Sequence, residues 1–222
     1  MEREDSFSKG NLLYRSILSL AKLFFKLTYK HQVFGLEHFT HGGAIIAANH
    51  ASFFDPPIGA ISSPEEVHFL ARESLFKFPL FGTLIRALNS HPVRGDAGDV
   101  AVFKTICSLL NEGKKVLLFP EGTREQSDKL EEIKPGMALL ISRTGAFVQP
   151  LYIHGTFDIW SRYRKYPKLS GKTASVFGSP IRYESFAHLP KREANEAFSK
   201  ELERSLNALR AWYEAGAHGS PP

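Results

Sequence analysis

A chain of 222 residues with 43% hydrophobic and 12% aromatic content fits one ordinary domain with a sizeable core and excludes a disordered segment, which would lack the apolar surface to offset chain entropy. Lys and Arg number 28 against 23 Asp and Glu, a formal charge of +5, and such a surplus suggests polyanion partners until it is located. Residues 6–36 carry Lys9, Arg15, Lys22, Lys26 and Lys30 and no acid; the rest of the chain is formally neutral, which excludes a folded surface built to track nucleic acid.

In chain order, the first element is a helix over residues 11–31. At 100° per residue, Arg15, Lys22, Lys26 and Lys30 fall within roughly 80° of arc, with Leu13, Ile17, Leu20, Phe24 and Phe25 on the far side. Acids precede it and no small-residue cleavage site follows, so it is no signal peptide. Spanning a bilayer would place Lys22 and Lys26 centrally at about 5–7 kcal/mol, more than the roughly 3–5 kcal/mol its Leu, Ile and Phe residues return. Lying in the interface instead lets the lysines meet anionic headgroups. The competing reading packs this helix on the protein's own core with a solvated basic stripe.

Short apolar runs then alternate with helical patterns. Strands are expected at 43–48, 66–71, 114–119, 147–153 and 173–177, and helices at 56–62, 79–88, 98–112, 135–144 and 191–213. This alternation predicts an α/β domain whose sheet is covered on both faces. Three segments follow: a membrane-associating helix at 1–32, the main domain at 33–214 and a disordered tail at 215–222. The single cysteine, Cys107, sits in an apolar helical run, forms no internal disulfide and reads as core filler.

Ligands of such folds gather where loops leave the carboxyl ends of strands, and two of these loops are chemically rich. After GAIIAA comes NHASFFDP, where Asp55 can orient His50 as a general base. Asp55 followed by Pro56 also suits a helix N-cap, a role compatible with orienting the imidazole. A second His/Asp pair at the same spacing, His91 and Asp96 in HPVRGD, reads as an ordinary turn. After KKVLLF comes FPEGTR, in which Glu121, Gly122, Thr123 and Arg124 form either a phosphate-gripping turn or an exposed charged one.

NHASFFDP at 49–56 and FPEGTR at 119–124 together resemble the 1-acylglycerol-3-phosphate acyltransferase family of glycerolipid synthesis. The resemblance extends through ARESLFKFPLFGTLIRALNSHPVRG at 71–95, with Arg72 and Arg94, and IKPGMALLISRTGAFVQPLYIHGT at 133–156, with Lys134, Gly136 and Pro150. Pro92 and Val93 before Arg94, and Ser74 where an acid is common, depart from the family pattern.

The resemblance implies the glycerolipid acyltransferase fold, a mostly parallel sheet flanked by helices. It also implies transfer of an acyl group from acyl carrier protein or coenzyme A to the free hydroxyl of lysophosphatidate, with no metal and no cofactor. His50 would be the base, Asp55 its partner, Arg124 and Arg94 the phosphate grip, and Glu121, Gly122 and Thr123 the acceptor pocket, with Arg72 nearby. There is no G-x-S-x-G elbow and hence no covalent nucleophile. The place of work is then the cytoplasmic face of an anionic membrane, as a peripheral or monotopic protein. The basic run Arg162, Arg164, Lys165 and Lys168, with Trp160, Tyr163 and Tyr166, suits an acidic carrier, lipid headgroups or solvent alone. A related O-acyltransferase with another lysolipid acceptor, and an inactive membrane-binding module on the same scaffold, are the rival readings.

Overall fold

The computed structural model describes residues 12–94, 100–122, 133 and 136–222. Eight strands form one sheet: β1 (Gln32–Phe34), β2 (Ala44–Ala48), β3 (Val67–Arg72), β4 (Ser90–Val93), β5 (Lys115–Leu118), β6 (Phe147–His154), β7 (Ala174–Phe177) and β8 (Ile181–Arg182). The helices are α1 (Leu12–Tyr29), α2 (Asp55–Ser62), α3 (Pro79–Ala87), α4 (Val100–Asn111), α5 (Gly136–Thr144), α6 (Thr156–Trp160) and α7 (Lys191–Glu214). Strand order is β1-β7-β6-β2-β5-β3-β4, with β8 beside β6. The pairs along β6-β2-β5-β3-β4 are parallel, and β6 with β7 is antiparallel.

The two-residue period of a strand divides the core. On central β2, Ile45 and Ala47 face α4, α5 and α7, while Ile46 and Ala48 face α1 and α2. All five β2 residues are buried, as expected of a strand covered on both sides and read as a continuous apolar run. Helix α7 buries Ala194, Phe198, Leu202, Leu206 and Leu209, a stripe at helical spacing.

Every expected strand and helix is present within the described residues. The additional strands and α-helix are β1, β4, β8 and α6, each five residues or shorter, too short for periodicity to register. Strand β4 corrects the reading of HPVRGD as a turn, since Pro92 opposes Ala71 on a strand that, among the described residues, pairs only with β3. Proline lacks the N–H that a second neighbour would need, so an edge is where it is tolerated. His91 is occupied too, its Nε2 lying 3.0 Å from His68 Nδ1, while Asp96 lies outside the described residues.

Helix α1 divides into three faces rather than the two expected. Tyr14, Phe25 and Tyr29 are buried on the body, and the Tyr14 hydroxyl, its pKa raised to about 12 chiefly by burial, is 3.0 Å from the Val67 amide that donates to it. Leu12, Leu13, Leu20, Leu23, Phe24 and Leu27 are exposed and span roughly 120° of arc beside the basic stripe. The tail also differs from the expected disorder. Pro221 is buried, its carbonyl accepting from His38 Nε2 at 3.0 Å, and Trp212 Nε1 donates to the His218 carbonyl at 3.0 Å. The composition of the tail looks disordered, but His38, which holds its end, lies far away in the chain. Gly35, at φ 75°, leaves the room this packing needs, because a Cβ there would collide with the Phe177 carbonyl oxygen and touch Pro221.

Two half-buried imidazoles link stability to pH. His31, whose ring nitrogens lie 3.0 Å from Thr173 Oγ1 and from Ser62 Oγ, is pushed down to about 4, burial being the main cause. Burial, then His91 and Lys114, also lower His68 to about 4. A base with a folded pKa below its unfolded 6.5 takes up its proton first in the unfolded chain, so its contribution is complete above about pH 6.5 and fades as pH falls toward 4. Thermal melts should therefore decline across that window, and His31→Gln and His68→Gln should each flatten the decline.

Candidate active site

Strands β2 and β5 lie side by side and parallel, Ala47 opposite Leu118, so the loops that leave them open at the same edge of the sheet. The β2 loop is fixed as it departs. Buried Asn49 donates through Nδ2 to the Ile153 carbonyl at 3.0 Å, and its Oδ1 accepts from the Ile153 amide at 2.7 Å. Its side-chain amide thus extends the β2–β6 ladder by one rung.

The next three residues converge on one atom. Asp55 Oδ2 accepts from His50 Nδ1 at 2.9 Å, from the Ala51 amide at 2.7 Å and from the Ser52 amide at 2.6 Å. Asp55 is fully buried and the His50 side chain is 18% exposed. The expected N-cap role is not the one observed: Asp55 is the first residue of α2, and its carboxylate turns back to the loop. Pro56 and Pro57 have no N–H to offer, and the Ile58 amide is committed to the Phe54 carbonyl at 3.0 Å. With no helix amide available, the carboxylate serves the loop, while its charge still sits favourably at the helix N-terminus.

A contact 108 residues distant braces the loop. Ser52 Oγ donates to the Trp160 carbonyl at 2.8 Å and accepts from the Phe54 amide at 3.1 Å, and Ser52 forms an isolated antiparallel bridge with Ser161. On the β5 side, the ring of Phe119 stacks on His50 with centroids 3.9 Å apart and planes 16° apart. Glu121 is buried just beyond it, and Gly122, at φ 78°, turns the chain with its amide donating to the Phe119 carbonyl at 3.0 Å.

His50, Asp55, Glu121 and Gly122 are thus gathered at one edge, whereas Thr123, Arg124 and Lys134 lie outside the described residues. Arg72 is exposed at the end of β3. Arg94, just past β4 and 83% exposed, is ion-paired through Nε with Glu73 Oε2 at 2.7 Å; β4 is three strands from β2, about 14 Å at the usual strand spacing. Cys107 is half-buried on α4, and burial pushes its thiol pKa up, the reverse of an activated nucleophile. Among the described residues, no group of three or more His, Cys, Asp or Glu side chains is placed to hold a metal ion. Sequence reasoning gave no role to Asn49, Ser52 or Phe119 and placed Trp160 only with the basic run that follows it; of these, Asn49 and Ser52, polar residues in a loop leaving an apolar strand, carried a local signal.

This geometry meets a known family, since the profile of the acyltransferase family matches residues 30–154, which contain both loops. The chain belongs to the acyltransferase family. The 1-acyl-sn-glycerol-3-phosphate acyltransferase of Bacillus subtilis is 26% identical over 199 residues, covering 89% of this chain and 96% of that one. A lyso-ornithine lipid O-acyltransferase of Rhizobium meliloti is 34% identical over 121 residues, covering 50% and 41%. The crystal structure of the 1-acyl-sn-glycerophosphate acyltransferase from Thermotoga maritima superposes with a TM-score of 0.72 at 25% identity, covering 89% of this chain and 81% of that one. The α/β fold expected of an acyltransferase, with its mostly parallel sheet, is the fold observed.

Substitutions should separate the acceptor from the brace. Asp55→Ala leaves two buried amides without an acceptor and should cost about 2–5 kcal/mol, while Ser52→Ala removes hydroxyl bonds worth about 1 kcal/mol. Urea unfolding of both variants measures the difference.

Proposed function

We propose that this acyltransferase moves a fatty acyl group from a thioester, carried by acyl carrier protein or coenzyme A, to the free hydroxyl of 1-acylglycerol 3-phosphate, forming phosphatidate. The observation that carries the mechanism is the commitment of His50 Nδ1 to buried Asp55. A carboxylate can only accept, so Nδ1 bears the hydrogen and Nε2 is left with the lone pair. His50 Nε2 takes the hydroxyl proton as the oxygen attacks the thioester carbonyl. The new C–O bond forms, the C–S bond breaks, and the proton passes to the departing sulfur as a thiol. Asp55 favours the imidazolium that forms between these steps, and the stacked Phe119 ring limits how far His50 can turn. Arg124 is assigned to the acceptor phosphate, with Arg94 available only if its pair with Glu73 opens.

The acceptor assignment is supported by the Bacillus and Thermotoga relatives, whose names specify acylglycerophosphate. The Rhizobium relative favours a second reading, an acceptor of the lyso-ornithine type. The third, an inactive scaffold, is disfavoured by the assembled His50–Asp55 pair. Among the described residues no helix is long and apolar enough to cross a membrane. The exposed leucines of α1 beside Lys22, Lys26 and Lys30 support a peripheral seat on an anionic bilayer, at the cytoplasmic face that acyl thioesters reach.

Transfer to lysophosphatidate, glycerol 3-phosphate, lysophosphatidylcholine and lyso-ornithine lipid tests the reading. Lysophosphatidate should be preferred, and His50→Ala should lower kcat by about 100- to 10,000-fold. Unchanged turnover in His50→Ala removes the base, and a preference for lyso-ornithine lipid selects the second acceptor. For the seat, L20S/L23S/L27S spares the buried face of α1 and should weaken sedimentation with phosphatidylglycerol vesicles by at least about tenfold.

A further inference from the structure

We infer that the loop 161–172 is a second membrane-contact element, which seats on anionic lipid beside the active-site mouth and adds to the contact made by the exposed face of α1. The loop holds Arg162, Arg164, Lys165, Lys168 and Lys172 and no acid, and among the described residues none of these five forms an ion pair. Interleaved with them are Tyr163, Tyr166 and Leu169, exposed to 64%, 70% and 87%. Arg162 lies over the Tyr163 ring at 5.7 Å and Lys165 over the Tyr166 ring at 5.3 Å. Cations alone would suit any polyanion. Cations alternating with exposed tyrosines and a bare leucine suit the headgroup layer, where an amphipathic ring rests at the interface and an alkyl group dips below it.

The position of the loop favours lipid over an acidic carrier protein. The Tyr29 hydroxyl, at the end of α1, donates to the Lys168 carbonyl at 2.9 Å, and the Lys168 amide donates to the Ile159 carbonyl at 3.0 Å. The loop is therefore tied to the end of the helix whose outer face shows Phe24 and Leu27, and the two apolar surfaces approach one another there. On its other side it joins the catalytic loop through the Ser52–Ser161 bridge and through Phe53, exposed and 5.0 Å from the Trp160 ring. A bilayer meeting this surface reaches the rim of the His50 loop, so a lysolipid need not leave the interface to approach Nε2.

The inference rests on the membrane-facing reading of α1, and vesicle binding separates the two without recourse to catalysis. With full-length protein and phosphatidylcholine vesicles containing phosphatidylglycerol, R162A/R164A/K165A should bind roughly 100-fold more weakly at low salt. Y163S/Y166S/L169S should lose about tenfold or more, and the charge-conserving R162K/R164K should bind like wild type. All three should transfer acyl groups to detergent-dispersed lysophosphatidate at the wild-type rate, which shows that they fold. If the two loss variants bind vesicles normally while L20S/L23S/L27S does not, the loop inference fails and the α1 seat stands. Loss of use of an acyl-carrier-protein donor with unaltered vesicle binding also overturns it and assigns the loop to the carrier.

Discussion

The active edge of this acyltransferase depends on one oxygen atom. Asp55 Oδ2 receives two backbone amides and an imidazole N–H within 2.9 Å, and the carboxylate is fully buried. A carboxylate removed from water is costly unless its charge is met by donors. Here the donors are the loop itself, so the carboxylate is compensated only when residues 50–52 wrap round it. The same requirement that stabilises the loop aims the His50 ring, so the loop and the imidazole are fixed together.

The sheet places this knot. Five adjacent parallel strands send their carboxyl ends to one edge, and the β2 and β5 loops meet there because those strands are neighbours. Asn49 anchors the first loop to β6, and the Trp160 carbonyl braces it from beyond the end of that strand. Polar side chains that satisfy backbone groups thus do for this loop what ladder hydrogen bonds do for the strands. The exposed apolar face of α1 and the basic loop after Trp160 adjoin the same edge, tied to one another through Tyr29 and Lys168.

Much of this was legible in the residues. The five core strands announced themselves as apolar runs, and α7 by the spacing of its apolar residues, because burial is what those patterns encode. Strand β4 was hidden by Pro92, whose turn-forming reputation outweighs its tolerance at an edge. The buried face of α1, with Tyr14, Phe25 and Tyr29, was not legible because amphipathicity shows that a helix has an apolar side, not what covers it. The His50–Asp55 pair was legible through its place after an apolar strand and through the family resemblance, since His91 and Asp96 share its spacing, but the direction of the carboxylate was not: it depends on Pro56 and Pro57 withholding their amides. The partnership of Ser52 with Trp160 joins residues far apart in the chain, which no local pattern could report.

The central claim is that Asp55 fixes His50 as the Nδ1–H tautomer with Nε2 free to accept a proton. Nitrogen NMR of ring-labelled histidine, with His50 assigned by comparison with His50→Gln, reads the tautomer directly at neutral pH. His50 should show a protonated Nδ1 and an unprotonated Nε2 in the resting protein. A His50 protonated at Nε2, or one exchanging freely between tautomers as in solution, would contradict it.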